Sequence, residues 1–154
     1  MSHEAGGGRL LHGGTRFLLI RPETLMGLQR ALEARLGAEA AEVLVAGGRA
    51  GGSRAATTLG GDARTRVEAL LRMGAEIGWG HFALERLTHS ELVVTVSNSP
   101  FAEAHGPAER PVCHLTRGVL LALAETVFAP PVAVRESACA ATGAARCRFE
   151  TTRA

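Results

Sequence analysis

Apolar residues recur at helical spacing through the first half of this chain and at strand spacing later. That change of period constrains the fold more than any other feature. Leu25, Leu28, Leu32 and Leu36 lie three or four apart, behind Pro22 at a helix start and Glu23 in the first turn, and Gly37 ends the run. A second helix is predicted from Ala38 through Ala46 into the glycine-rich stretch 47–52, and a third over residues 62–77, with Val67, Leu70, Leu71 and Gly74 on one face. Each internal glycine costs a helix about 1 kcal/mol against alanine, so the stretch 47–52 either breaks the second helix or serves close packing. Residues 79–87 and 91–97 (ELVVTVS) then alternate as two strands joined by a turn at 88–90. Residues 98–110 read as a loop, and Pro111 opens a helix to about Val127 that Pro130 and Pro131 stop. Residues 132–139 and 146–151 form the last two strands, around a turn centred on Gly143. A short apolar strand at residues 15–21 (TRFLLIR) precedes the first helix. The expected class is α+β, a mainly antiparallel sheet with packed helices. Residues 1–14 read as a flexible glycine-rich leader, and residues 15–154 as one domain.

What the chain lacks narrows its chemistry. It has no lysine and no tyrosine, and Asp62 is its only aspartate. This excludes Schiff-base lysine chemistry, a phosphate-loop lysine and a tyrosine acid, so the glycine-rich GGRAGGS (residues 47–53) is not a phosphate loop. No dinucleotide fingerprint or four-cysteine iron–sulfur pattern supports hydride or electron transfer. The formal net charge of +2, with both signs interspersed, argues against direct nucleic-acid binding. No apolar run approaches the roughly 20 residues that span a bilayer, and residues 1–14 lack a signal-peptide apolar core. A cytoplasmic, reducing location is therefore expected, with the three cysteines as free thiols or metal ligands.

Cys139 and Cys147 flank the turn of the final hairpin in CAATGAARC, and Glu136 lies three residues upstream. Gly143 permits a tight turn that brings both thiols to one end of the hairpin. Cys113 sits just inside a helix after Pro111, where the helix N-terminus favours the thiolate. If that helix end packs on the hairpin, three sulfurs and a carboxylate converge as a closed tetrahedral donor set suited to structural zinc. The alternative is that the cysteines are small core hydrophobes. Cys113 and His114 are sequence neighbours and point about 100° apart on a helix, which does not make a nucleophile–base pair.

The stretch PVCHLTRGVL (residues 111–120) followed by VRESACAATGAARCRFE (residues 134–150) resembles the 4-vinyl reductase domain family. RFLLIRPETL and SNSPFAEA also fit its pattern. The family is named for a bacteriochlorophyll-synthesis protein and includes the sensory domains of activators that respond to phenol and toluene. The resemblance implies zinc held by Cys113, Glu136, Cys139 and Cys147. It also implies the α+β fold shared with vesicle-tethering (TRAPP) subunits, which form dimers and enclose an apolar cavity. The segment where aromatic-sensing relatives carry a ligand-contacting Trp falls near Val96 and Ser97 here, so that contact is not carried over.

Trp79, Phe82, Phe101 and Phe128 are four of only six aromatic residues, and the first three are candidates to line a ligand pocket; core or dimer interface is the alternative for Trp79. Among the histidines, His105, beside Phe101 and Glu103, is the candidate pocket residue, ahead of His81, His89 and His114. The expected function is a zinc-containing, homodimeric sensor or carrier domain for a hydrophobic or tetrapyrrole-like small molecule, with no catalytic residue. The alternatives are an enzyme or accessory factor in reducing a tetrapyrrole vinyl group, and a purely structural dimerisation subunit.

Overall fold

The computed structural model describes residues 4–12, 14–129 and 131–153. The elements run β1 (Glu4–Gly6), β2 (Arg9–His12), β3 (Thr15–Phe17), α1 (Pro22–Leu36), α2 (Glu39–Thr58), α3 (Ala63–Glu76), β4 (His81–Leu87), β5 (Leu92–Ser97), α4 (Pro100–His105), α5 (His114–Val127), β6 (Val132–Ala138) and β7 (Cys147–Arg153). Two antiparallel sheets form, one ordered β1-β2-β3 and the other β4-β5-β7-β6. The fold is α+β, as the change of period predicts. Among the described residues no helix is long and apolar enough to cross a membrane.

The larger sheet carries the core on one face. Leu92, Val94 and Val96 of β5 and Phe149 of β7 pack with Val67, Leu70, Leu120 and Leu123 from the helices. On the other face Val93 lies opposite Glu150, and Thr95 opposite Arg148. Both are buried beneath a lattice in which Arg148 pairs with Glu85 and Glu150, and Arg135 with Glu150.

The glycine stretch does not break α2. Gly48 and Gly52 stack against α5, which offers Gly118 in return. A Cβ at Gly48 would stand 2.2 Å from the carbonyl oxygen of Leu115, and one at Gly118 2.2 Å from that of Val45. The two helices therefore meet backbone to backbone. The contact energy gained there offsets the low helix propensity of glycine.

Four expectations change. The segment 4–12 is not an unstructured leader: Gly7 and Gly8, with φ of 55° and 72°, turn β1 back onto β2. Glycines that read as slack thus supply a hairpin turn. The apolar strand predicted over 15–21 ends at Phe17, and Leu18 and Leu19 stand 79% and 94% exposed. The loop 98–110 contains α4, because Pro100 presets its first turn and Ser99 Oγ accepts from the Ala102 amide. Finally, α5 begins at His114, with Cys113 as its cap rather than inside it. The Cys113 amide is committed to Glu136, and the Val112 carbonyl accepts from Gln29 Nε2 and from the His114 amide, so residues 111–113 turn into the helix rather than forming its first turn. Pro130 lies outside the described residues.

The helix contact makes a sharp prediction. Gly118→Ala should destabilise the fold by about 3 kcal/mol or more, because backbone on both sides blocks relief of the clash. Gly27→Ala in α1, where a Cβ would meet nothing within 4 Å, should stabilise by about 0.5–1 kcal/mol. Urea unfolding of both variants checks the pair.

Candidate metal centre and ligand cavity

The start of α5 and the β6–β7 connection place three sulfurs and a carboxylate together. The Cys113 Sγ lies 3.6 Å from that of Cys147 and 4.0 Å from that of Cys139. One donor atom from each of Cys113, Glu136, Cys139 and Cys147 falls within 4.8 Å of the others, and all four residues are buried. Each arrives by a local device. Glu136 Oε2 accepts from the Cys113 amide at 3.0 Å. After Cys139 the chain makes a short 3₁₀ turn, Ala140–Thr142, closed by Gly143 at φ 93°. The Cys139 carbonyl accepts from the amides of Thr142 and Ala144. That turn returns the chain so that the Ala140 amide points at Cys147 Sγ, 3.4 Å away. Ser99 Oγ stands 3.4 Å from Cys113 Sγ, and the Ala108 amide bonds the Ala141 carbonyl, so the α4 loop braces both sides.

The electrostatics of this cluster suit a cation. Hydrogen bonds from the Cys113 and Cys139 thiols pull Cys147 down to about 4. Sharing its proton with Cys139 and Cys147, and burial, drive Cys113 well above the ordinary thiol range. Burial, reinforced by the charge of Cys139, raises Glu136 to about 8. Four acidic groups this close cannot all ionise unless a positive charge sits among them. Glu136 Oε1 is buried with no hydrogen-bond partner, a position costly for a carboxylate oxygen unless an ion takes it up. Three thiols and one carboxylate are a donor set that zinc accepts.

Beyond the buried start of α5, a cavity of about 430 Å³ opens between α2, α3, α5 and β4. Leu70, Leu71, Leu115, Val119 and Leu120 form its apolar depth, and Gly47, Gly48, Gly51 and Gly52 form one wall. Trp79 and Phe82 line it, whereas Phe101 does not. Phe101 is buried behind Trp79 and holds it edge to face, with ring centroids 4.9 Å apart. His105 is also away from the lining: it ends α4 and faces Glu33, Nε2 to Oε2 3.7 Å. His81 and His89 are exposed. His114 is partly buried, and burial, followed by the charge of Arg117, lowers its pKa. Sequence reasoning missed the glycine wall and Phe17. The glycines signalled close packing, but spacing alone does not say that one glycine pair faces a helix while its neighbours face a void.

The fold has relatives among known proteins. A family model for the 4-vinyl reductase domain matches residues 92–153. No curated protein matches the chain. Among solved structures, the phenol-responsive sensory domain of the transcription activator PoxR, in complex with phenol, is similar at 20% identity and TM-score 0.85, over 97% of this chain and 83% of that one. A vinyl-4-reductase family protein from Methanocaldococcus jannaschii is similar at 17% identity and TM-score 0.58, over 90% and 98%. Trafficking protein particle complex subunit 3 from Naegleria fowleri, covalently bound to palmitic acid, is similar at 14% identity and TM-score 0.62, over 84% and 93%. The segment that runs from β5 to β7 and carries all four donors is thus the part of the chain that matches the 4-vinyl reductase domain, within a fold shared with proteins of that family and with TRAPP-type subunits.

Proposed function

We propose that this chain is a small-molecule-binding sensor or carrier domain that takes a hydrophobic ligand into the cavity and uses zinc to lock its C-terminal hairpin to α5. The observation that carries this reading is the cavity itself, about 430 Å³ and walled by apolar side chains and glycines, within the size range of ligand sites. Among the described residues its lining contains no histidine, cysteine or carboxylate, which favours binding over catalysis. The phenol complex of the PoxR sensory domain, which has a similar fold, points the same way.

Helix α5 connects the two features. Leu115, Val119 and Leu120 face the cavity, while Cys113 at its start belongs to the donor cluster. Bound zinc would hold Cys113, Glu136, Cys139 and Cys147 in one shell and fix the position of α5. A ligand pressing on α5 then works against a rigid anchor, and its effect passes to the surface. Exposed Leu18, Leu19 and Leu28 offer an apolar face for a homodimer through which such a change is read. Three free thiols this close suit a reducing, cytoplasmic compartment.

Purified protein should carry one zinc per chain by elemental analysis. At about 3 °C per kcal/mol for a chain of this size, Cys147→Ala or chelation should lower Tm by about 10 °C or more. Protein without metal and an unchanged melting curve would remove the zinc. Zinc uptake should release protons, and affinity should fall as pH is lowered, because Cys113 and Glu136 must give up protons they hold more tightly than ordinary thiols and carboxyls. Calorimetry in buffers of different ionisation enthalpy measures this. For the cavity, Gly51→Leu places a side chain where a Cβ meets nothing within 4 Å. It should abolish the thermal shift given by apolar ligands while leaving the unliganded Tm within a few degrees.

A further inference from the structure

We infer that the cavity is built for an organic monocarboxylate whose apolar body is larger than one aromatic ring, with Arg54 receiving the carboxylate. The inference rests on reading the cavity as a ligand site, and it names the class of ligand.

Size is the first argument. A dry cavity of about 150 Å³ holds benzene. At about 430 Å³, this one leaves most of its space unfilled around a single ring. Unfilled apolar space forfeits dispersion contacts, so a tight ligand must carry a longer chain or more rings.

Charge is the second. Among the described residues the lining includes one charged residue, Arg54, and no acid. The exposed members of the lining, among them Thr15, Arg54 and Thr58, mark its open side, while Leu70, Leu71 and Leu120 are buried at its depth. The charged residue is therefore among the exposed members of the lining, and its buried members are all apolar. Arg49, on the same helix as Arg54, is already engaged with Glu125. Arg54 has no carboxylate partner among the described residues. A guanidinium at the mouth of an apolar cavity matches a carboxylate at the end of an apolar body, through a planar pair of N–H donors.

Trp79 is the only tryptophan of the chain and lines the cavity, so its emission reports occupancy. The test compares decanoate, decan-1-ol and phenol at neutral pH and low salt, with the wild-type protein, Arg54→Gln, Arg54→Glu and Gly51→Leu. Arg54 is exposed on α2, so its replacement leaves the core intact. Decanoate should bind the wild type about fivefold more tightly than decan-1-ol, the upper range for a solvent-facing ion pair. Added salt should erode that preference without weakening decan-1-ol. Arg54→Gln should abolish the preference, and Arg54→Glu should invert it. Equal binding of acid and alcohol to the wild type, or a preference that survives Arg54→Gln, overturns the assignment of Arg54 while leaving the cavity a ligand site. Phenol binding more tightly than either ten-carbon probe overturns the size argument. If all three probes give the same response with Gly51→Leu as with the wild type, or none at all, the ligand-site reading falls together with this inference.

Discussion

Helix α5 lies against α2 more closely than side chains ordinarily permit, and the rest of the molecule is arranged around that contact. Gly48 and Gly52 on one helix and Gly118 on the other remove the atoms that would hold the backbones apart. Among the described residues, the contact between α2 and α5 is the most extensive between any two elements. Once α5 is seated there, its opposite side is free to meet the sheet, through Leu120 and Leu123 against Val94 and Phe149. The same glycine run has a second consequence. Gly47 and Gly51 are offset from the contact and leave open volume, so one stretch of sequence produces both the tightest helix packing and one wall of the cavity.

The donor cluster stands at the start of this helix and not elsewhere for a physical reason. A helix N-terminus presents unsatisfied amides, and here one of them, from Cys113, is bonded by a carboxylate from β6. That hydrogen bond brings Glu136 and the hairpin thiols to Cys113. Burial then makes the assembly electrostatically incomplete: thiols share protons, and one carboxylate oxygen has no partner. A divalent cation would resolve both conditions with one bond to each residue. Cavity and cluster therefore share one helix: Leu115, Val119 and Leu120 of α5 line the cavity, and Cys113 at its start belongs to the cluster.

Much of this was legible in the sequence, because periodicity is local. The four long helices, the two hairpins of the main sheet and the α+β class follow from apolar spacing, and the Pro22 and Asp62 starts follow from backbone chemistry. The four donors could be grouped from residue type and from the resemblance to 4-vinyl reductase domains. Less legible were features whose cause is distant in the chain. Nothing near Phe101 says that it will prop Trp79 rather than line a pocket. Nothing near His105 says that Glu33, far away along the chain, will hold it outside. The segment 4–12 misled because glycine serves both flexible linkers and tight turns, and only strand pairing distinguishes them.

By itself the sequence determined the long helices, the strands of the larger sheet, the class and the inventory of ligating side chains, since these depend on neighbours within a turn or two of helix or strand. The tertiary structure decided which glycines touch a helix and which face a void, which aromatics reach the cavity, and that Arg54 stands at its mouth. Those outcomes depend on where α2, α3, α5 and β4 come to rest relative to one another. That placement is set by packing across the whole core, which no local pattern encodes.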